Sequence, residues 1–249
     1  MIFESDSLYF LRKPAWLASS WWMHESFLSH LEDAWSSLVD QFHLSMRWTS
    51  QIQSLLKEEI ARHWLHRTEN PALVINALTH QFSHAEEYGM LNRLDTPTSW
   101  FLYFAKNREV YSQFRNRQRD SNVLKYYLLQ VHGNALYSYA VWEHFTVDYP
   151  IGHHLHLDDR MVVLTDTDKD YAWLVKWTLQ QVTTTFTWLS YDQEHDYTLL
   201  RASITKWARH QIRLHAKALG YPILWDRLYG SKDHEEILHL WSVGCEVNN

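Results

Sequence analysis

Glycine and proline are scarce in this chain, and their scarcity constrains its fold more than any other sequence feature. The 249 residues include 6 Gly and 5 Pro, about 4% of the chain against a usual ~12%. A sandwich or barrel of many strands needs turn residues every ~8–12 positions, so we expect no all-β architecture. Since 46% of the residues are hydrophobic and 15% aromatic, disorder is excluded too. A compact, helix-rich domain remains.

Hydrophobic periodicity supports this expectation. Apolar residues recur at intervals of three and four, which predicts amphipathic helices. β-branched residues and tyrosines in the middle of the chain predict two short strands. The predicted helices cover residues 21–48, 49–67, Pro71–Leu94, a stretch from Thr98 or Ser99 through Phe114, Tyr197–Leu219 and His234–Val243; the predicted strands are Arg160–Thr165 and Val182–Trp188. The predicted fold class is α+β and predominantly α-helical: a helical N-terminal half, a small sheet in the middle and a long C-terminal helix.

The domain organisation follows from the distribution of aromatic and basic residues. Aromatic side chains occur on both sides of a basic connector at residues 115–125, so we expect a single domain over 1–249 with a sub-boundary near 115–125.

Charge and cysteine content bear on partners and location. Lys plus Arg number 23 and Asp plus Glu 29, a formal net charge of −6, which disfavours a dedicated nucleic-acid-binding protein. The lone Cys245 cannot form an internal disulfide, which fits a reducing compartment. The N-terminal residues lack a secretory signal, and no apolar stretch approaches the ~18 residues of a membrane span. We expect a cytoplasmic protein with no membrane partner.

The densest group of metal-capable side chains is Gly152–Asp159. On a strand, His154 and His156 would share a face, and Glu143 could join them to bind a divalent metal, the one cofactor that the sequence suggests. This His-x-His pattern resembles the HUH family of single-strand nickases. The resemblance implies a metal-dependent phosphodiesterase with Tyr191 or Tyr197 as the nucleophile. The alternative is a polar loop whose histidines form hydrogen bonds.

A second set of candidate ligands lies on the predicted helices. Glu59, His66 and Glu143 resemble the first ligands of heme-oxygenase-like di-iron oxidases, a helical metal-dependent oxygenase family. The predicted late helix supplies His210 and His215 but no carboxylate, so the complete ligand set is missing. If a metal binds, we expect it at residues 143–156 and not on the N-terminal helices.

The predicted late helix also carries a basic ridge. Lys206, Arg209, Arg213 and Lys217 are spaced by three or four residues, which predicts an exposed binding surface for an anion or an acidic partner. Charge reversal at Arg209 and Arg213 should then leave stability nearly unchanged. The run from Arg209 to His215 resembles the Arg-x4–6-His element of HEPN ribonucleases, which act on RNA phosphodiesters.

The tryptophan-rich and histidine-rich composition, with 14 Trp and 17 His, decides among these functions. Aromatic residues combined with arginine are typical of binding hot spots. We therefore expect a binding protein that recognises a protein, a peptide or a small molecule through an aromatic, His- and Arg-rich surface, with nucleic acid disfavoured. The metal-dependent phosphodiesterase is the main alternative, followed by the ribonuclease and the oxygenase, so whether the chain is an enzyme stays open.

Overall fold

The computed structural model describes residues 2–13, 19, 58, 66–67, 71–135, 144–167, 173–176, 178–230 and 237–247. The chain divides into two compact units, Met1–Asn116 and Arg117–Asn249. These described residues contain eleven strands and three α-helices.

The first unit is built on four antiparallel strands. They are β1 (Ile2–Glu4), β2 (Leu8–Lys13), β3 (His66–Arg67) and β4 (Ser99–Ala105), in the order β3-β1-β2-β4. The sequence SWFLYFA of β4 is buried along its whole length, as expected for a continuous apolar run in a covered strand. The described part of the unit also contains helix α1 (Pro71–Gln81) and a 3-10 helix (His84–Gly89), and helix α2 (Arg108–Arg119) runs from this unit into the second.

Five strands of the second unit pair antiparallel with one another in one sheet. They are β5 (Val123–His132), β6 (His144–Val147), β9 (Thr184–Asp192), β10 (Tyr197–Ile204) and β11 (Leu240–Val247), in the order β11-β5-β10-β9-β6. A separate two-stranded pair joins β7 (Ile151–His153) to β8 (Met161–Val163). The last helix is α3 (Gln211–Ala218).

A hydrophobic cluster ties α3 to the two-stranded pair. It consists of the buried residues Ile151, Met161, Val182, Ala208, Leu214 and Tyr229. Burying a large apolar side chain stabilises a fold by roughly 1.5–3 kcal/mol, so this cluster fixes the position of α3 relative to β7 and β8. The polar side chains that α3 carries are thereby held in one place.

The predicted predominance of helix is wrong, although some elements are confirmed. Helix α1 begins at Pro71 as predicted, β8 lies within Arg160–Thr165, and β9 overlaps Val182–Trp188. The predicted helix from Ser99 is instead β4 followed by α2, and Tyr197–Leu219 is β10, a loop and the shorter α3. Residues 240–243 of the predicted final helix begin β11. The predicted helices over 21–48 and 49–67 lie outside the described residues, apart from Glu58 and the strand His66–Arg67.

Scarce glycine misled the fold prediction because other residues make the turns. Seven described non-glycine residues have positive φ, among them Ser121 before β5 and Asp196 before β10. In the turn between β9 and β10, the Asp192 carboxylate accepts backbone N–H bonds from Glu194 and His195 at 3.0 and 3.2 Å. Such side-chain turns replace the glycine that a hairpin ordinarily uses.

The part of the chain that the structure describes contains no helix that is both long enough and apolar enough to cross a bilayer.

Candidate functional site

A tight turn before β4 presents an aspartate. Residues 90–94 run antiparallel to β4: the Asn92 side chain accepts from Tyr103 N at 2.7 Å and donates to Phe101 O at 3.2 Å. The chain then reverses through a turn closed by Thr98 N donating to Asp95 O at 3.0 Å. Asp95 is half-buried at the start of this turn. The surrounding bonds hold its backbone in one position, which a reacting carboxylate requires.

A buried lysine supports the Asp95 turn. Lys13 ends β2 directly opposite Trp100 in the β2–β4 register, and its ammonium donates to Thr96 O at 3.0 Å. Burial lowers the pKa of Lys13 to about 7, against the opposing effect of the Asp95 carboxylate. The site therefore holds an amine that titrates near neutral pH next to a carboxylate.

The strand that follows the turn is strained. Trp100 is buried with φ at 82°, in the left-handed region that costs a non-glycine residue roughly 1–3 kcal/mol. Ser99 beside it is fully buried, and its hydroxyl has no hydrogen-bond partner in the described structure. Strain and an unsatisfied hydroxyl concentrate at functional sites, and here both adjoin the Asp95 turn.

A second polar cluster lies at α3 in the other unit. Arg213 forms a bidentate ion pair with Asp226, at 2.8 Å from Nε and 2.6 Å from Nη2, and both side chains are at most 2% exposed. Asp226 also accepts the backbone N–H groups of Leu228 and Tyr229. The Arg213 guanidinium lies 4.9 Å from the centre of the Tyr229 ring.

His210 at the start of α3 is held neutral. Tyr229 OH accepts from Met161 N at 2.9 Å and forms a second hydrogen bond, 2.6 Å long, with His210 Nδ1. Burial, reinforced by the nearby Arg213 and Arg209 charges, lowers the pKa of His210 to about 3. The ring is therefore a fixed hydrogen-bonding group and not a proton carrier near pH 7.

A third set of bonds orients the rest of α3. Gln211 donates to Thr184 Oγ1 at 3.1 Å, and that hydroxyl lies 2.8 Å from His215 Nδ1. His215 Nε2 donates to Tyr149 O at 2.9 Å. The Arg209–His215 run singled out from the sequence is therefore a buried structural network in which Gln211, His210 and His215 face the protein.

The predicted basic ridge does not form. Lys206 and Lys217 are exposed, but Arg213 is buried in its ion pair. Arg209 donates to Asp158 O at 2.9 Å. The prediction of one exposed face is wrong because Lys206 lies in the loop after β10 and not on a helix.

The predicted metal ligands are only partly described. His154 Nδ1 accepts from His156 N at 3.1 Å, and the two ring centres are 6.3 Å apart. Glu143, like Glu59, lies outside the described residues. No group of three or more His, Cys, Asp or Glu converges on a metal position among the residues that the structure does describe.

Tyr191 and Tyr197, the predicted nucleophiles, flank the turn between β9 and β10, where Tyr191 OH donates to Asp196 at 2.8 Å.

Sequence reasoning missed Asp95, Lys13 and Asp226. Asp95 could have been found from its position in an Asp-Thr-Pro-Thr turn directly before a fully apolar run. Nothing in the sequence pairs Lys13 with that turn, since 82 positions separate the two residues.

Comparison with known proteins defines the class of this protein. A family model described as RNA pseudouridylate synthase matches residues 71–218, a segment that contains both Asp95 and α3. That segment is more than half of the 249 residues. The chain belongs to the RNA pseudouridylate synthase family.

Individual relatives carry related names. The chain is 27% identical over 163 residues to an uncharacterized RNA pseudouridine synthase of Aquifex aeolicus, covering 66% of this chain and 46% of that protein. It is 29% identical over 187 residues to ribosomal large subunit pseudouridine synthase C of Pasteurella multocida, covering 70% and 51%. It is 32% identical over 186 residues to that organism's tRNA pseudouridine synthase C, covering 69% and 66%. The chain spans about half the length of most of these relatives.

Solved structures support the same fold. Human RNA pseudouridylate synthase domain containing 4 matches with a TM-score of 0.52 at 18% identity, covering 96% of this chain and 80% of that one. Human RNA pseudouridylate synthase domain containing 1 matches with a TM-score of 0.51 at 19% identity, covering 64% of this chain and 65% of that one.

Family membership corrects the functional expectations drawn from the sequence. The predicted binding protein for a protein, peptide or small molecule is wrong, and so are the nickase-like phosphodiesterase, the HEPN-like ribonuclease and the helical oxygenase. Nucleic acid, disfavoured on net charge, is the partner class of the family. Total net charge is a poor guide to this partner class, because a nucleic acid meets a local surface and not the total charge.

Proposed function

We propose that this chain isomerises uridine to pseudouridine within RNA. The family match over residues 71–218 carries the proposal. The reaction breaks the C1′–N1 glycosidic bond, forms a C1′–C5 bond, and moves a proton from C5 to N1. Atoms and electrons balance within the nucleotide, so the chemistry draws on no cofactor.

Asp95 is the group that we assign to the reacting uridine. Cleavage of a glycosidic bond is chemistry for which proteins use carboxylates, and removal of the C5 proton needs a base. Asp95 is half-buried in a turn that Asn92 and Lys13 brace. Because enzymes reach a base only outside the stack, a carboxylate that is partly exposed at a turn suits an extruded nucleotide.

Lys13 has a positioning role in this proposal. Its bond to Thr96 O holds the peptide next to Asp95. The Asp95 carboxylate and the ammonium also stabilise each other's charged forms.

The RNA substrate and the location extend the proposal. The relatives include proteins named for the ribosomal large subunit and for tRNA, and we propose an RNA of one of these two kinds. We place the protein in the cytoplasm, where these RNAs function and where the buried thiol of Cys245 stays reduced.

A divalent metal at His154, His156 and Glu143 stays a separate proposal, tested by metal analysis of a His154→Ala variant.

The direct experiment uses RNA transcribed with tritium at C5 of uridine. Each isomerisation releases that tritium to water, so its release from ribosomal or transfer RNA measures the activity. Asp95→Asn should lower the release by at least about a thousandfold. Asp192→Asn is the matched control, because Asp192 is also half-buried at a turn; it should retain the wild-type rate.

Two results would contradict the proposal in different ways. Full activity of a folded Asp95→Asn protein would remove Asp95 from the reaction. Absence of tritium release by the wild-type protein from both RNA classes would overturn the proposed activity itself.

A further inference from the structure

The second unit exposes two tryptophans, which is unusual for so large an apolar side chain. Trp173 is 63% exposed and Trp207 46% exposed. Leu155 and Leu157 nearby are 37% and 42% exposed. None of the four side chains belongs to the Asp95 turn or to the buried cluster around Arg213.

Hydrogen bonds join the segments that carry these side chains. Leu155 N donates to Leu174 O at 2.6 Å, and Lys176 N donates to His153 O at 2.9 Å, so residues 153–155 and 174–176 run side by side. Arg209 Nη1 donates to Asp158 O at 2.9 Å, which anchors the loop after Leu155 beside the segment containing Trp207. These bonds place the segments 153–159, 173–176 and 206–209 next to one another, and we call their exposed side chains the Trp173–Trp207 surface.

The charges on this surface favour an anionic polymer. Lys206 is exposed, and Lys176 and Arg209 add two further cations. Two carboxylates oppose these three cations: Asp158 lies 3.2 Å from the Lys176 ammonium, and Asp159 is exposed, so the three segments keep a formal charge of +1 with histidine neutral. Exposed indole rings beside cations are the combination that binds single-stranded nucleic acid: bases stack on the rings and phosphates meet the cations.

We propose that the Trp173–Trp207 surface binds unpaired nucleotides of the RNA substrate. The inference rests on the proposed function for its choice of RNA. It assigns a separate contact to a part of the chain that carries none of the proposed chemistry. Apolar exposure by itself does not distinguish a protein partner from a nucleic acid. The neighbouring cations and the membership of the chain in an RNA pseudouridylate synthase family favour the nucleic acid.

Binding of a fluorescein-labelled oligouridylate, followed by fluorescence anisotropy, tests the surface without requiring any turnover. Trp173→Ala and Trp207→Ala should each weaken binding about tenfold, whereas Trp173→Phe should retain most of the affinity because a phenyl ring also stacks. Leu73→Ala is the matched control: Leu73 is 64% exposed in the other unit and should not affect binding. Lys206→Gln should make the dependence of log Kd on log salt shallower by about 0.7.

The outcomes separate this inference from the proposed function. Wild-type affinity in both alanine variants, with unchanged thermal melting, overturns the surface. So does an equal loss in Leu73→Ala, which would show a nonspecific effect. If the alanine variants lose RNA binding while the wild-type protein releases no tritium, the surface stands and the proposed reaction fails.

Discussion

The buried ion pair between Arg213 and Asp226 offers the sharpest test of this structure. Asp226 is 1% exposed and accepts four hydrogen bonds: two from Arg213 at 2.8 and 2.6 Å, and two from backbone N–H groups at 3.1 and 3.2 Å. Asp226→Asn keeps the shape but leaves a buried guanidinium without its counter-charge. Breaking such a pair from one side costs about 3–5 kcal/mol.

That magnitude is measurable by urea denaturation or calorimetry. For a chain of this size each kcal/mol shifts Tm by ~2–4 °C, so Asp226→Asn should lower Tm by roughly 6–20 °C. Asp158→Asn is the control, because its partner Lys176 is at 3.2 Å and its own side chain is 91% exposed; Tm should change by less than about 2 °C.

A double variant separates charge from shape. Arg213→Met combined with Asp226→Leu removes both charges and should recover part of the lost stability. Recovery stays incomplete because two backbone N–H groups lose their acceptor. An Asp226→Asn protein within about 1 kcal/mol of the wild type would refute a buried, uncompensated guanidinium. The same geometry predicts that charge reversal at Arg213 unfolds the second unit, contrary to the expectation from the sequence.

Two further predictions concern pH. Burial, helped by the nearby His132, lowers the pKa of His239 to about 3. Between about pH 6.5 and 3 the unfolded chain therefore binds a proton at this residue that the folded chain does not, and the free energy of unfolding falls as the pH falls through that range. The free energy of unfolding should therefore be about 2 kcal/mol lower at pH 5 than at pH 7 because of this residue. His239→Gln should flatten the dependence of the urea midpoint on pH. His80→Gln, at an exposed position on helix α1, should leave that dependence unchanged. Burial likewise lowers the pKa of Lys13 to about 7 from 10.5, so the free energy of unfolding should rise from about pH 7 to 10.5. Lys13→Met should lack that rise; an unchanged slope would show that Lys13 is not buried as described.

The sequence predicted local features whose physics is local. Proline at the first position of a helix is favoured because its missing N–H has no partner to lose, and α1 begins at Pro71. The apolar, β-branched run at 161–163 forms β8. The Arg209–His215 run was recognised as unusual, but its interpretation as a phosphodiester site was wrong because His210, Arg213 and His215 are buried in bonds to other protein groups.

Periodicity failed where neighbouring strands decide the structure. Residues at intervals of three or four in β10 gave the pattern of a helix, yet β10 is paired on both sides, with β5 and with β9. Backbone pairing with β5, more than 60 positions away, and with the neighbouring β9 outweighs a local preference, because strand propensity depends on packing against such neighbours. The turn residues gave no warning either, since aspartate and serine made turns that glycine ordinarily makes.

The candidate site depends on tertiary structure even more than the fold does. The sequence by itself showed an aspartate shortly before an apolar run, a dense His, Gln and Arg run at residues 209–215, and a single cysteine; it did not show that the apolar run is a strand or that α3 begins at Gln211. Only the antiparallel pairing of β2 with β4 brought Lys13 to the Asp95 turn, and only the packing of α3 buried Arg213 against Asp226. A charge is exposed or buried according to what packs over it, and that depends on residues distant in the chain.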